Sequence, residues 1–293
     1  MAVSVTAEPR GSDLVVRAIT ADGAFRVIAV RTSETAKEVA AVQKAEGSRA
    51  RLLAEMLTAA VLVRETMAPD LRVQGILQGD DPKTRIVADS FPDGTTRGLV
   101  QLRNGADVSL GSRAVLQMMR TLHNGQIQQG MVQASETGGI SGALMEYMQA
   151  SEQVISFASV GAVEADGVIS AGGYIVQLLP EASEGPLMVM TERLKDFPRI
   201  QDLLAKNEAS PEHLLSEVLY GMPYDEVGRG TLRFECRCSE ERLLATLLSL
   251  PRHDIRELVN GIGPGEVLEI DCDYCQRHYR ISPERFRGVL DEN

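Results

Sequence analysis

All four cysteines of this 293-residue chain stand in two tight pairs near its end, Cys236-Arg237-Cys238 and Cys272-Asp273-Tyr274-Cys275. Residues 239–271 separate them, a spacing that fits four thiolates converging on one tetrahedral zinc ion in a closed site. That arrangement constrains the fold of the tail more than any other feature. About sixty residues with few large apolar side chains build little core and need a staple. Structural zinc supplies roughly 10–16 kcal/mol of apparent folding free energy in small peptides. In extended backbone Cys236 and Cys238 point to one face, which suits chelation. The same crowding lets neighbouring thiols become disulfides, because metal-bound sulfur is held as the thiolate that oxidants attack. The cysteines alone leave two readings open: a structural zinc site never oxidised in function, or a redox switch.

Charge and composition narrow the classes further. Acidic residues outnumber basic ones 41 to 30, and a net charge of −11 repels phosphate backbones. With 4% aromatic residues and no Trp, there is no stacking platform for bases or sugars. The longest apolar stretch, Leu52 to Val63, is interrupted by Glu55 and Thr58 and is too short to span a bilayer. The first residues, Met1-Ala2-Val3-Ser4-Val5, show no basic region followed by an apolar run, so the expectation is a cytoplasmic protein. Thiols stay reduced there, so paired cysteines indicate metal or redox function over a structural disulfide. Neither nucleic acid nor membrane is expected as a partner.

The chain divides by texture into three parts: 1–180, 181–230 and 231–293. The first predicts a mixed α/β domain with a largely antiparallel sheet, giving an α+β fold class overall. Strand-like runs 14–19 and 25–30 flank Asp22-Gly23, and 157–163 and 168–178 flank Asp166-Gly167. Further strands are expected at 71–78, 84–89, 96–102 and 126–133. Helical spacing marks Leu52, Leu53, Met56, Leu57, Ala60 and Val61, with more helix expected at 112–122 and 139–151. Residues 181–229 carry ten acidic against five basic side chains and predict a helical linker without strands. Ser210-Pro211-Glu212 opens one of its helices, with a stripe of Leu214, Leu215, Val218 and Leu219 that needs a surface to dock on. Met188, Met190 and Met222 are either core filling or part of an adaptable binding surface. In the tail, Thr231 to Glu235 predicts a strand, Ser239-Glu240-Glu241 a capped Leu-rich helix, and Asn260-Gly261 a left-handed stop to a second. Strands 267–271 and 277–281 flank the second cysteine pair, and Ser282-Pro283-Glu284 opens a last helix.

Other constellations are weaker. His123, His213, His253 and His278 are scattered, and His278, although near Cys275, meets a site that four thiolates already fill. Gly138-Gly139 predicts a turn rather than an anion site, and Gly172-Gly173 a close-packed place in a sheet.

Phe234-Glu235-Cys236-Arg237-Cys238-Ser239, then a Leu-rich helix, then Cys272-Asp273-Tyr274-Cys275 followed by Tyr279, resembles the 33 kDa chaperonin family of redox-regulated heat-shock holdases. Leu14-Val15-Val16-Arg17-Ala18, Ser151-Glu152-Gln153 and Ala171-Gly172-Gly173-Tyr174 leading to Gln177-Leu178-Leu179-Pro180 extend the resemblance along the chain. It implies a non-enzymatic chaperone holding one Zn2+ per chain through Cys236, Cys238, Cys272 and Cys275 when reduced, monomeric and inactive. It further implies that oxidation forms Cys236–Cys238 and Cys272–Cys275 disulfides, releases zinc and loosens the tail and linker. The protein then binds unfolding client proteins without ATP, commonly as a homodimer. Two other classes remain open: a thiol-disulfide oxidoreductase, and a zinc-ribbon nucleic-acid binder. The tail's nine basic against twelve acidic residues weigh against the latter.

Overall fold

The computed structural model describes residues 12–102, 107–122, 124–165, 167–180, 184–263 and 266–286. Expectations at His123, Asp166, the start of the linker at 181–183 and the end of the last helix fall outside these residues. Two compact units emerge, Met1–Glu235 and Cys236–Asn293.

The first unit is built on two sheets. Strands β1 (Leu14–Thr20) and β2 (Phe25–Arg31) form the expected hairpin, and β8 (Ser156–Ala165) and β9 (Val168–Leu178) form another. With β10 (Tyr224–Thr231) they make an antiparallel five-stranded sheet in the order β10-β1-β2-β9-β8. Crowding in this sheet explains the paired glycines. A Cβ on Gly172 would lie 2.7 Å from the carbonyl oxygen of Val30, and one on Gly173 2.3 Å from that of Ser159. The second sheet contains β3 (Arg72–Gln78), β4 (Arg85–Ser90), β5 (Thr95–Gln101), β6 (Val115–Thr121), β7 (Ile127–Gln133) and the short β11 (Arg233–Phe234). Its order is β11-β5-β4-β3-β6-β7, antiparallel except for the β11–β5 pair.

Helix α2 (Gly47–Thr66) packs against strands of both sheets and is buried on nearly every side from Leu53 onward. This suits a helix apolar all round better than a surface stripe would. Helices α1 (Ser33–Gln43) and α3 (Gly139–Ala150) complete this core. The sequence reading did not foresee α1, and its start shows why. Thr32 supplies no capping bond; instead the Asp13 carboxylate, distant in sequence, accepts from the backbone N–H of Thr35 (2.6 Å) and Glu34 (3.1 Å).

A second core covers the other face of the five-stranded sheet. Helices α4 (Glu184–Lys195), α5 (Ile200–Ala205) and α6 (Pro211–Val218) place Met190, Ile200, Leu203, Leu204, Leu214, Leu215, Val218 and Leu219 with Val16, Ala18, Val27, Ala29, Tyr174 and Val176. The α6 stripe docks as expected, and Ser210 caps it by accepting from the His213 N–H at 3.2 Å. Met190 is buried and Met222 packs at the margin, whereas Met188 is exposed.

Two expectations are corrected in the first unit. Residues 115–121 form a strand, not a helix: Leu116 and Met118 face inward in alternation while β6 pairs with β3 and β7, so pairing overrides the helical propensity of Leu, Gln and Met. The linker is not strand-free either. Tyr224–Thr231 pairs with β1, with a register shift at Arg17/Ala18. Its side chains are mostly exposed, so no apolar alternation reveals it in the sequence.

Beyond β10 the backbone crosses to the second sheet. Leu232 N–H donates to Asp13 O (3.0 Å), Arg233 N–H to Gly94 O (3.2 Å) and Glu235 N–H to Thr96 O (3.3 Å). Gly94 has φ +80°, and a Cβ there would lie 2.1 Å from Thr231 O, so only glycine fits the crossing.

The second unit is lean. It holds α7 (Glu240–Leu248), α8 (Arg252–Asn260) and the hairpin β12 (Leu268–Asp271) and β13 (His278–Ile281). Ser239 caps α7 as expected, accepting from Arg242 N–H at 3.3 Å. Gly261 ends α8 at φ −74°, a right-handed stop instead of the expected left-handed one. Among the described residues only Ile255, Ile281 and Phe286 form the buried apolar cluster, with Leu243, Leu244, Leu247 and Leu248 half-covered around it. No residue of α7 is buried.

Candidate metal centre

The first pair lies in the loop between β11 and α7, which Arg242 braces by donating from its guanidinium to Arg237 O at 2.8 Å. The second pair occupies a knuckle between β12 and β13. Cys272 N–H donates to Arg277 O (2.9 Å), Gln276 N–H donates to Cys272 O (2.7 Å), and Gln276 takes the left-handed conformation, φ 57°, to turn the chain. Both pairs are thereby presented to each other. The Sγ atoms of Cys236, Cys238, Cys272 and Cys275 all lie within 4.8 Å of one another. Across the motifs, Cys236 Sγ lies 3.7 Å from Cys272 Sγ and Cys238 Sγ 3.3 Å from Cys275 Sγ.

Four sulfurs about 2.3 Å from a central ion would stand about 3.8 Å apart at tetrahedral corners. The observed cluster is close to that size and well beyond disulfide bonding distance. A set of four thiols suits a soft or borderline cation, and the four cysteines together can hold a metal ion. Cys272 is buried, and the other three are partly covered.

The sulfurs are not equivalent. Burial pushes the Cys238 thiol up, but hydrogen bonds from Tyr279 and from the Cys275, Cys236 and Cys272 thiols outweigh it and bring the group down to about 7. At Cys275 burial acts upward too, and the neighbouring Cys238 and Cys236 sulfurs reinforce it against the Arg277 amide, so this thiol is raised. The Tyr279 hydroxyl donates to Cys238 Sγ at 3.1 Å. The resemblance placed Tyr279 after the second pair without giving it a role. Its signal was the register of the strand that follows the knuckle.

The described histidines lie elsewhere. His278 Nδ1 is 2.8 Å from Asp271 Oδ1, with Nε2 3.8 Å from Glu269, so its ring faces carboxylates. His253 sits 2.9 Å from Asp254. Thiol-disulfide exchange in a thioredoxin-like setting requires a helix starting at the Cys-x-x-Cys pair; here that pair is a turn between two strands. Among the described residues, no helix is long and apolar enough to cross a membrane.

Known proteins share both the sequence and the fold. The 33 kDa chaperonin of Ruminiclostridium cellulolyticum is 28% identical over 295 residues, covering 96% of this chain and 99% of that protein. That of Desulfotalea psychrophila is 28% identical over 294 residues, covering 96% and 98%. The crystal structure of the 33 kDa chaperonin (heat shock protein 33 homologue) from Thermotoga maritima superposes with a TM-score of 0.77 at 23% identity, over 95% of this chain and 98% of that one. At that identity the superposition speaks for the fold. The family model described as Hsp33 protein matches residues 13–282, which take in both sheets, the docked helices and all four cysteines. A match over that span settles the affiliation: the chain belongs to the Hsp33 family.

Proposed function

We propose that this protein is a redox-regulated, ATP-independent holdase of the cytoplasm, not an enzyme, that captures unfolding client proteins under oxidative stress. One observation carries the reading: four thiols converge in a unit whose buried apolar cluster, among the described residues, is three residues, while the other unit holds two extensive cores. Such a unit depends on a ligand for its fold. The functional division we assign is 1–180 for client binding and dimerisation, 181–230 as a redox-sensitive linker, and 231–293 as the switch.

In the reduced, monomeric protein Cys236, Cys238, Cys272 and Cys275 would hold one Zn2+, which when bound supplies a rigid tetrahedral crosslink and keeps the sulfurs as thiolates. Under peroxide, Cys236 joins Cys238 and Cys272 joins Cys275. Each disulfide takes two thiolates and one peroxide: two electrons pass to the O–O bond, and two hydroxides leave. Sulfurs of the two motifs stand against each other, so bonding within each motif breaks up the present arrangement. No donor remains for the metal, and the lean unit loses its staple. Glu235 hydrogen-bonds at the edge of the six-stranded sheet immediately before Cys236, and β10 lies just upstream. Loosening that propagates along this segment frees α5 and α6 and uncovers the apolar face formed by Val16, Val27, Tyr174 and Val176. That face then serves clients, and the active form is a homodimer.

The test is light scattering of a thermally unfolding client. Reduced, zinc-loaded protein should leave aggregation unchanged, and peroxide with mild heat should release about one zinc per chain and suppress aggregation. Equal suppression in both redox states would overturn the switch.

A further inference from the structure

We infer that Tyr279 is a positioning residue that restrains the Cys238 sulfur and so sets how much oxidant is needed before the metal centre opens; this rests on the function proposed above. The observation is geometric. Tyr279 stands in β13 with its hydroxyl donating to Cys238 Sγ at 3.1 Å, although the two residues are 41 positions apart. The hydroxyl–sulfur contact thus links the second-knuckle strand to a ligand of the first pair.

Its chemistry follows from where the electrons lie. Peroxide is attacked by a sulfur lone pair: the S–O bond forms, the O–O bond breaks, hydroxide leaves, and the thiolate becomes a sulfenic acid. A hydroxyl directed at the sulfur withdraws electron density from that lone pair. The sulfur is then a weaker nucleophile toward peroxide. Outer partners of this kind also orient metal ligands, and their loss costs about 10–100-fold in metal affinity. A phenylalanine at 279 would keep the ring and its packing while deleting the donor. The device resists mild oxidant without changing any of the four ligands.

The experiment uses full-length reduced protein loaded with Zn2+ and follows zinc release with a chelating dye at fixed peroxide, together with mass-spectrometric labelling of Cys238. Tyr279→Phe should release zinc about tenfold faster and expose Cys238 to modification correspondingly sooner, with an unchanged far-UV spectrum before oxidant is added. Zinc release from Tyr279→Phe at the parental rate overturns the inference while leaving the proposed function intact. A parent protein that retains no zinc overturns both the inference and the function beneath it.

Discussion

Glu55 shows how a single side chain imposes a pH dependence on this fold. It lies on α2 against β8, where burial raises its carboxyl from about 4.5 to about 7, opposed by a hydrogen bond from the Ala162 backbone and by Arg51. The folded state therefore binds more protons than the unfolded chain between those values, and stability falls as pH rises through that window. The full cost, present above pH 7, is roughly 3 kcal/mol. Glu55→Gln keeps an acceptor for Ala162 and removes the charge. It should raise the melting temperature of the first unit at pH 8 and leave it nearly unchanged at pH 4, as read by calorimetry. Equal gains at both pH values would show that the carboxylate is not the cause. In the sequence Glu55 merely interrupted an apolar stretch; its role needed the position of β8. The cysteines are the opposite case. Their spacing alone brought Cys236, Cys238, Cys272 and Cys275 into one candidate site, because ligands at short separations have few other reasons to recur in pairs. Tyr279 lay between these extremes, since its partner is set by a register that no local pattern encodes.

Among the elements, the β1–β2 and β8–β9 hairpins and the buried α2 were legible because turn residues and apolar periodicity are local. The α6 start was legible for the same reason, through Ser210 and Pro211. What escaped the sequence depends on distant partners: α1 is capped by Asp13, β6 is defined by its neighbours on both sides, and β10 is held at the edge of β1 with its side chains outward. Helices α5 and α6 are short and are held by one apolar face, not by intrinsic propensity. Leu214 is fully buried in that contact, and truncation of such a leucine costs about 2–5 kcal/mol. Leu214→Ala should make the segment from Arg199 to Met222 cleavable by a trace of protease and give partial suppression of client aggregation without oxidant. A reduced variant that is cleaved readily yet remains inactive would separate helix release from client binding.

At the scale of the whole molecule, the two units contrast in how they are stabilised. The first buries residues on both faces of its five-stranded sheet and around a central helix; the second relies on a sulfur cluster and a small apolar cluster. On the proposed function, folding free energy in the second is largely metal-binding free energy, and removal of the metal should act on that unit before it acts on the first. Amide hydrogen exchange on the reduced protein, before and after zinc is stripped by a chelator, measures this directly. The amides of Leu268–Asp271, His278–Ile281 and Arg252–Asn260 should lose their protection on stripping, while those of Val73–Leu77 and Ile86–Ala88 should keep theirs. Protection of the last unit that is the same with and without zinc would contradict a metal-dependent fold.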